Sequence, residues 1–342
     1  MIRNIIEKIL SLLIPGRLYE NKYFLLGPSV ERYKYFLNYI LATIMTPYYW
    51  LLMKIFRPQT VTRKKYYVSV CAIFRDEGCY LKEWIEFHKI IGVEHFYLYN
   101  NFSSDNYLEV LEPYIQSGEV TLTDWPVPQG QMSAYQDCFN RFKDETNWLA
   151  FIDLDEFIIP NFTDTINEFL KSFEKRPAVL IYWLYFGSSG LIDRDINGLI
   201  IEDFKVCFKK YSTMGKMIFN TSYELDVNYR RNNHMHVMWG GYKNVMLPPV
   251  NCFDKIILRG IHKDKVSSSN ILIQINHYVT KSYGEYITKK SKRGGGVHPY
   301  GFHNMDYFVM HDKECQVIDL HAYKYIIPLK LRMKEYNNLK KS

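Results

Sequence analysis

Residues 147–160, NWLAFIDLDEFIIP, carry the pattern that decides the fold class of this chain. The apolar run at 148–152 is typical of a strand buried within a sheet. Asp153, Asp155 and Glu156 follow that run, and two aspartates at positions i and i+2 of a strand project to the same side. Ionised carboxylates beside a core need a cation or hydrogen bonds. The stretch therefore predicts a site for a hard divalent ion, or else a pair of turn or helix-cap aspartates.

Strand-like and helix-like segments alternate before this stretch. Short runs rich in β-branched and aromatic residues predict strands, and the segments between them carry apolar residues at helical spacing. The predicted strands are residues 66–74, 94–101, 119–125 and 147–160, and the helix predicted before the last of them is 131–146. This order predicts an α/β fold in which helices flank a mostly parallel sheet.

Polar residues follow several of these predicted strands. Arg75 and Glu77 come after the first strand, and Asn101 ends the second. Ligands of parallel sheets bind at the carboxyl ends of the strands, so we expect these side chains to share one edge with Asp153 and Asp155. No GxGxxG turn follows the first strand, which argues against a dinucleotide-dependent oxidoreductase.

Composition and charge narrow the class of partner. The chain has 342 residues, with 47% hydrophobic and 23% charged, which is ordinary for a soluble globular protein with a sizeable core. Its net charge of +7 suits anionic partners such as nucleotide phosphates or an acidic membrane surface. No nucleic-acid-binding signature occurs, so nucleic acid is not an expected partner. Six scattered cysteines without CxxC spacing argue against structural zinc and fit a reducing compartment.

Residues 1–65 predict a basic helical arm. The segment 35–53 holds no charged residue and is just long enough to span a bilayer, although Asn38 and Pro47 interrupt it. Three interpretations stay open: a spanning helix, a helix lying in the membrane surface, or a helix packed on the folded domain. The basic residues after this segment predict that the following domain is cytoplasmic, with membrane association through 35–53 as a further expectation.

Several short motifs extend the pattern over roughly residues 68–310. They are Glu77, the Glu83-Trp84 pair, Gly92, Gln131, the run at 153–157, FGSSG at 186–190, INHY at 275–278, and Lys289 with Arg293. On these motifs and their order, the chain resembles glycosyltransferase family 92 and its bacterial relatives. It departs from the family pattern at Asp76, Asn100 and Leu191, where the family commonly has Asn, Asp and His, which leaves the exact donor and acceptor open.

The resemblance implies a Rossmann-like GT-A fold, a nucleotide-sugar donor and a metal of the Mn²⁺ type, with Mg²⁺ as the other candidate. It also implies inversion at the anomeric carbon, and some members of the family transfer galactose. The metal ligands expected from it are Asp153, Asp155 and His277. The donor-binding residues expected are Arg75, Glu77, Asn101, Asp105, Gln131, Asp153, Lys289 and Arg293. Lys289 and Arg293 stand at i and i+4, so one helical face could present both to a diphosphate, unless they simply form a solvated basic helix end.

An inverting transfer needs a base that takes the proton of the acceptor hydroxyl. Asp226 is the preferred candidate, with Glu224 and Asp193 as further ones, and His234 and His236 fall in the same window. Each of these could equally be an ordinary solvated surface residue.

The sequence thus predicts an N-terminal arm (1–65), a catalytic domain (66–325) and a basic C-terminal tail (326–342). The predicted function is metal-dependent transfer of a hexose, with galactose as a candidate, from a UDP-sugar to a glycan or lipid-linked saccharide. One alternative is a metal-dependent nucleotidyl or phosphoryl transferase, which also uses paired aspartates and basic residues. The other is a non-catalytic protein that binds carbohydrate or nucleotide.

Overall fold

The structure, a computed structural model, describes residues 32–59, 62–195, 197–212, 214–226, 238–258, 268–289 and 304–339. The strands, in chain order, are β1 (Tyr66–Phe74), β2 (His95–Asn100), β3 (Val120–Asp124), β4 (Thr146–Phe151), β5 (Glu156–Pro160), β6 (Ala178–Tyr185), β7 (Val206–Phe208), β8 (Gly215–Asn220), β9 (Glu224–Asp226), β10 (Trp239–Tyr242), β11 (Val245–Leu247), β12 (Val250–Asn251), β13 (Ile273–His277) and β14 (Cys315–Ile318). The helices are α1 (Arg32–Ile55), α2 (Gly78–Ile90), α3 (Tyr107–Gln116), α4 (Gln131–Phe142), α5 (Ile166–Leu170), α6 (Ile200–Asp203), α7 (Tyr283–Thr288), α8 (Met305–Glu314) and α9 (Ile326–Leu339).

A central sheet of nine strands organises the part of the chain that the structure describes. Its order is β3-β2-β1-β4-β8-β6-β13-β5, and β12 pairs with β6 off this path. The pairs among β1, β2, β3 and β4 are parallel, as are β13 with β6 and β12 with β6. Strands β8 and β5 run in the opposite direction. The predicted α/β class with a mostly parallel sheet flanked by helices is confirmed.

The predicted fourth strand is two strands in the structure. Residues 147–160 start in β4, which pairs with β1 and β8, and continue in β5, which pairs with β13 at the edge of the sheet. A turn separates them, in which the Glu156 backbone N–H donates to the Asp153 carbonyl at 3.1 Å. All residues of β4 and β5 are buried, so apolar runs lie on both sides of the turn and make the whole stretch resemble one strand. The acidic residues therefore sit on a connection inside the sheet.

Helix α1 contains the predicted apolar segment 35–53. One face of it packs on the domain: the Tyr49 ring lies 5.3 Å from the Trp239 ring, and the Arg176 guanidinium lies 4.6 Å from the Trp50 ring. Among the described residues, no helix reaches the length and apolarity needed to cross a membrane.

The predicted C-terminal tail forms α9 over most of its length. Leu329 is fully buried, Arg332 forms a 3.4 Å ion pair with Glu86 of α2, and Lys82 of α2 donates to the Met333 carbonyl at 3.3 Å. These residues therefore cover the outer side of α2. The domain boundaries at 65 and 325 stay predictions.

Glu83 of α2 is a buried carboxyl that caps a second helix. Its side chain accepts the Ile200 N–H at 2.9 Å and the Ile201 N–H at 3.3 Å, at the start of α6. Burial raises the pKa of Glu83 to about 7, with a small contribution from Asp203, although the two N–H donors and Arg194 favour the charged form. In the unfolded chain the same carboxyl has its ordinary, lower pKa. At a pH between the unfolded and the folded pKa, Glu83 therefore takes up a proton when the chain folds.

We expect Glu83→Gln to change how stability depends on pH. In the native protein, stability falls as pH rises from the ordinary glutamate range to about 7, because the folded state must then ionise a buried carboxyl. The amide stays neutral and keeps one acceptor oxygen for the Ile200 N–H, whereas the Ile201 N–H loses its partner at every pH. The difference in the free energy of unfolding, variant minus wild type, should therefore be up to about 3 kcal/mol larger at pH 8 than at pH 5. Urea unfolding of both proteins at both pH values measures this difference. The same change in stability with pH in wild type and variant would contradict the prediction.

Candidate active site

The carboxyl ends of β4, β6 and β13 meet at one edge of the sheet. Strands β5 and β8 begin at that same edge because they run in the opposite direction. Within the sheet, His277 at the end of β13 pairs with Glu156 on one side and with Tyr185 on the other. The topology thus brings polar residues from five segments together, although they are far apart in sequence.

Asp155, Glu156 and His277 form a compact group, which we call the ligand triad. One ligand atom from each residue lies within 4.8 Å of the others. His277 Nε2 is 3.4 Å from Asp155 Oδ1, and His277 Nδ1 is 3.9 Å from Glu156 Oε1. The Asp155 backbone is fixed independently, because its carbonyl accepts the Tyr278 N–H at 2.8 Å.

The ligand triad has the chemistry of a divalent metal site. Within the described part of the chain, Glu156 Oε1 and His277 Nδ1 are buried and have no hydrogen-bond partner. Buried polar atoms in folded proteins are nearly always paired, so these two atoms call for a ligand. Two carboxylates and an imidazole suit Mn²⁺ or a similar ion. The residues present therefore fit a metal.

Aromatic side chains hold the imidazole of the triad in place. The rings of Trp183 and Tyr185 each lie 5.2 Å from the His277 ring, measured between centroids. Both aromatic residues belong to β6, the parallel neighbour of β13. The orientation of His277 is thus set by packing within the sheet.

Lys216 is a buried cation beside the triad. Its Nζ lies 2.8 Å from Asp153 Oδ2 and 3.7 Å from Glu156 Oε2, and its side chain is only 3% exposed. Burial alone would lower the pKa of Lys216, but Asp153 and Glu156 together raise it, so the ammonium form persists. The preceding Gly215 lies so close to the Ile181 carbonyl of β6 that a Cβ atom would collide with it. Glycine at this position therefore lets β8 bring Lys216 to the carboxylates.

The Asp153 backbone N–H donates to Glu156 Oε2 at 3.0 Å, but the Asp153 carboxylate is held by side chains outside the triad. Besides Lys216, its carboxylate accepts hydrogen bonds from Gln131 Nε2 at 2.8 Å and from the Tyr135 hydroxyl at 3.2 Å, both at Oδ1. The structure thus gives Gln131, a predicted donor-binding residue, a direct contact with the first aspartate of the motif. Asp153, Asp155 and His277 all stay predictions as metal ligands, and the last two lie together as that prediction requires.

The loops after the first three strands use the predicted donor-binding residues to bind one another. Asn101 Nδ2 donates to the Trp125 carbonyl at 2.7 Å and the Val127 carbonyl at 2.9 Å. Asp105 accepts the Gly78 N–H at 2.7 Å, at the start of α2. In the same region, the exposed guanidinium of Arg75 lies 5.9 Å from the Phe102 ring and 3.8 Å from Asp76. Glu77 directly precedes α2. These contacts shape the edge of the sheet, and donor binding by these residues stays a prediction.

A second cationic group lies over Tyr80 in the first turn of α2. Lys281 Nζ is 4.2 Å and Lys289 Nζ is 4.7 Å from the centre of the Tyr80 ring. One helical turn further along α2, Trp84 Nε1 donates to the Glu156 carbonyl at 2.9 Å, which connects this helix to the triad. Lys281 was not among the predicted donor-binding residues. Arg293, which was, lies outside the described residues.

The predicted bases are scattered. Strand β8 leads away from the triad, so Glu224 lies beyond the opposite edge of the sheet, where it pairs with Lys143 at 3.2 Å. Asp226 follows it in β9, whose backbone pairs with β10 at Trp239. The direction of β8, which the sequence does not reveal, thus carries the chain away from the triad before these two residues. Their assignment as bases stays a prediction. Asp193 is exposed and lies against Gly284 at the start of α7, while His234 and His236 fall outside the described residues.

The family model described as glycosyltransferase family 92 matches residues 64–300 of this chain. The chain belongs to glycosyltransferase family 92, which confirms the resemblance expected from its motifs.

Individual relatives overlap with only part of this chain. A rice protein, glycosyltransferase family 92 protein Os08g0121900, is 32% identical over 118 residues, covering 34% of this chain and 20% of its own length. Galactan beta-1,4-galactosyltransferase GALS3 of Arabidopsis thaliana is 31% identical over 105 residues, covering 28% of this chain and 21% of its own length. The matched part thus spans about a fifth of these relatives. A solved structure of S. aureus TarS 1-349 in complex with UDP is 14% identical, with a TM-score of 0.33 over 46% of this chain and 47% of that one, a likeness too slight to support any conclusion.

Proposed function

We propose that this protein transfers a hexose from a nucleotide-sugar donor to a glycan or lipid-linked saccharide. The specific donor that we propose is a UDP-sugar. The observation that carries this proposal is the ligand triad, whose three ligand atoms lie within 4.8 Å of one another at the carboxyl edge of the sheet. Membership in glycosyltransferase family 92 supports the same reaction class. The metal is proposed to be Mn²⁺ or Mg²⁺, held by Asp155, Glu156 and His277.

A bound divalent ion would neutralise the charge that develops on the departing nucleoside diphosphate. The chain's own residues complement that role. Lys216 fixes Asp153 and compensates the negative charge of the carboxylates. Lys281 and Lys289, stacked over Tyr80, present positive charge that suits phosphate oxygens. Asp193 is retained as the proposed base for the acceptor hydroxyl.

Relatives support galactose and inversion as the finer proposal. Three of them are named galactan beta-1,4-galactosyltransferases. Transfer from an α-linked nucleotide-galactose to a β-linked product inverts the anomeric carbon, which requires a single displacement with a base on the acceptor side. We propose the same stereochemistry here. We also propose a cytoplasmic location, since all six cysteines are free, as expected in a reducing compartment.

The test is donor turnover by the purified full chain across a panel of nucleotide-sugars, with Mn²⁺, with Mg²⁺ and with EDTA. We expect one donor, a UDP-hexose, to be consumed only with metal present, releasing UDP and attaching the sugar to an acceptor. A nucleotide attached to the product would instead establish the nucleotidyl transferase alternative. Neither turnover nor metal-dependent nucleotide binding in any condition would overturn the proposal in favour of a binding protein.

A further inference from the structure

Helix α1 presents a row of large apolar side chains to solvent. Ile44 is 68% exposed, Tyr48 57%, Leu51 56% and Ile55 57%. Their spacing of four, three and four residues places them on one face of the helix. We call this face the outer row. Four such exposed neighbours form a contiguous patch of the kind that marks an interaction site.

The opposite face of α1 is already committed to the domain. Ala42 and Met53 are buried in the core, Tyr49 packs edge-on against Trp239, and Trp50 stacks under Arg176. This packing fixes the rotation of the helix, so the outer row points away from the protein. It also means that lipid cannot surround α1, as it would surround a spanning helix.

Positive charge is concentrated in the same part of the chain. Residues 1–65 contain 11 Lys and Arg against 3 Asp and Glu, a net charge of +8, while residues 66–342 contain 32 against 33. Lys54 is exposed between Leu51 and Ile55, Arg57 follows the helix, and no acidic residue occurs from 32 to 59. A one-sided charge beside an apolar row complements an anionic lipid surface. A tyrosine within the row also suits the interface, where amphipathic rings accumulate.

We propose that α1 lies in the plane of an anionic lipid bilayer. The outer row is inserted among the lipids, and the basic residues beside it, Lys54 and Arg57, contact the headgroups. The helix would then hold the protein at the membrane surface. Binding itself does not depend on the proposed reaction, so the two proposals can fail separately.

The test is flotation of the purified full chain with two kinds of vesicle: phosphatidylcholine alone, and equal parts of phosphatidylcholine and phosphatidylglycerol. We expect binding to the anionic vesicles, weakened by salt because exposed charges are screened. The double variant Ile44→Asp/Leu51→Asp should lose at least about tenfold in binding, since it replaces two inserted apolar side chains with charged ones. Donor turnover in solution should not change in that variant.

A matched control comes from α9, where Ile327 is 72% and Leu331 55% exposed. The double variant Ile327→Asp/Leu331→Asp removes equally exposed apolar groups and should bind anionic vesicles like wild type. Equal loss in this control would show unspecific adhesion and overturn the proposal. Absence of wild-type binding to anionic vesicles would also overturn it, as would a salt-independent dimer that the outer-row variant abolishes without any vesicle binding.

Discussion

Asp155→Asn should lower metal-dependent donor turnover by on the order of 10³-fold, because a metal contributes several kcal/mol of charge stabilisation in such reactions. The side chain is nearly buried and its Oδ1 lies 3.4 Å from His277 Nε2. The amide keeps the shape of the carboxylate but removes its charge from the ligand triad. The backbone should keep its place, since the Asp155 carbonyl still accepts the Tyr278 N–H. Titration calorimetry with Mn²⁺, beside steady-state turnover, measures both effects.

Two matched variants show whether the loss belongs to the triad. Asp153→Asn should weaken Mn²⁺ binding less than Asp155→Asn, because Asp153 contacts Lys216, Gln131 and Tyr135. Glu224→Gln should change neither Mn²⁺ affinity nor turnover, since Glu224 pairs with Lys143 beyond the opposite edge of the sheet. Unchanged Mn²⁺ affinity in Asp155→Asn would refute the triad as the metal site.

The sequence predicted the strands well where local pattern alone determines them. Strand β1 has the predicted limits, and β2 and β3 differ from prediction by a residue at each end. The turn between β4 and β5 escaped prediction because apolar runs lie on both sides of its aspartates, so residues 147–160 resemble one long strand. Hydrophobic pattern reports which residues are buried, but it does not report which strand lies beside which.

The site shows the same limit more sharply. Asp155 could be found because its chemistry is local: carboxylates directly follow a buried strand. Glu156 was visible in the same stretch, but only its pairing with His277 on β13 makes it a ligand candidate. His277 was predicted only through the family resemblance. Lys216 carried no signal at all, because it is one lysine on a short strand, 63 residues after its partner Asp153.

Lys216→Met should cost about 3–5 kcal/mol in the free energy of unfolding, measured by urea denaturation in EDTA. Methionine fills a similar volume but leaves Asp153 without its cation. It also removes the charge that opposes the effect of burial on Glu156, whose pKa burial raises well above its usual range. An uncompensated charge in the interior is far more costly than a missing ion pair at the surface, since water cannot replace the lost partner.

Lys143→Met is the matched control, because Lys143 also forms a lysine–carboxylate pair, with Nζ 3.2 Å from Glu224, a side chain that is 76% exposed. Surface pairs of this kind contribute at most about 1 kcal/mol, so this variant should unfold nearly like wild type. Lys216→Arg should be more stable than Lys216→Met but less stable than wild type. Arginine restores the positive charge, but its planar guanidinium differs in shape from the lysine ammonium group. If Lys216→Met were as stable as Lys143→Met, Lys216 would not be the charge that holds the carboxylates together. The acidic edge would then depend on the metal alone, and Mn²⁺ should raise the stability of wild type and Lys216→Met equally.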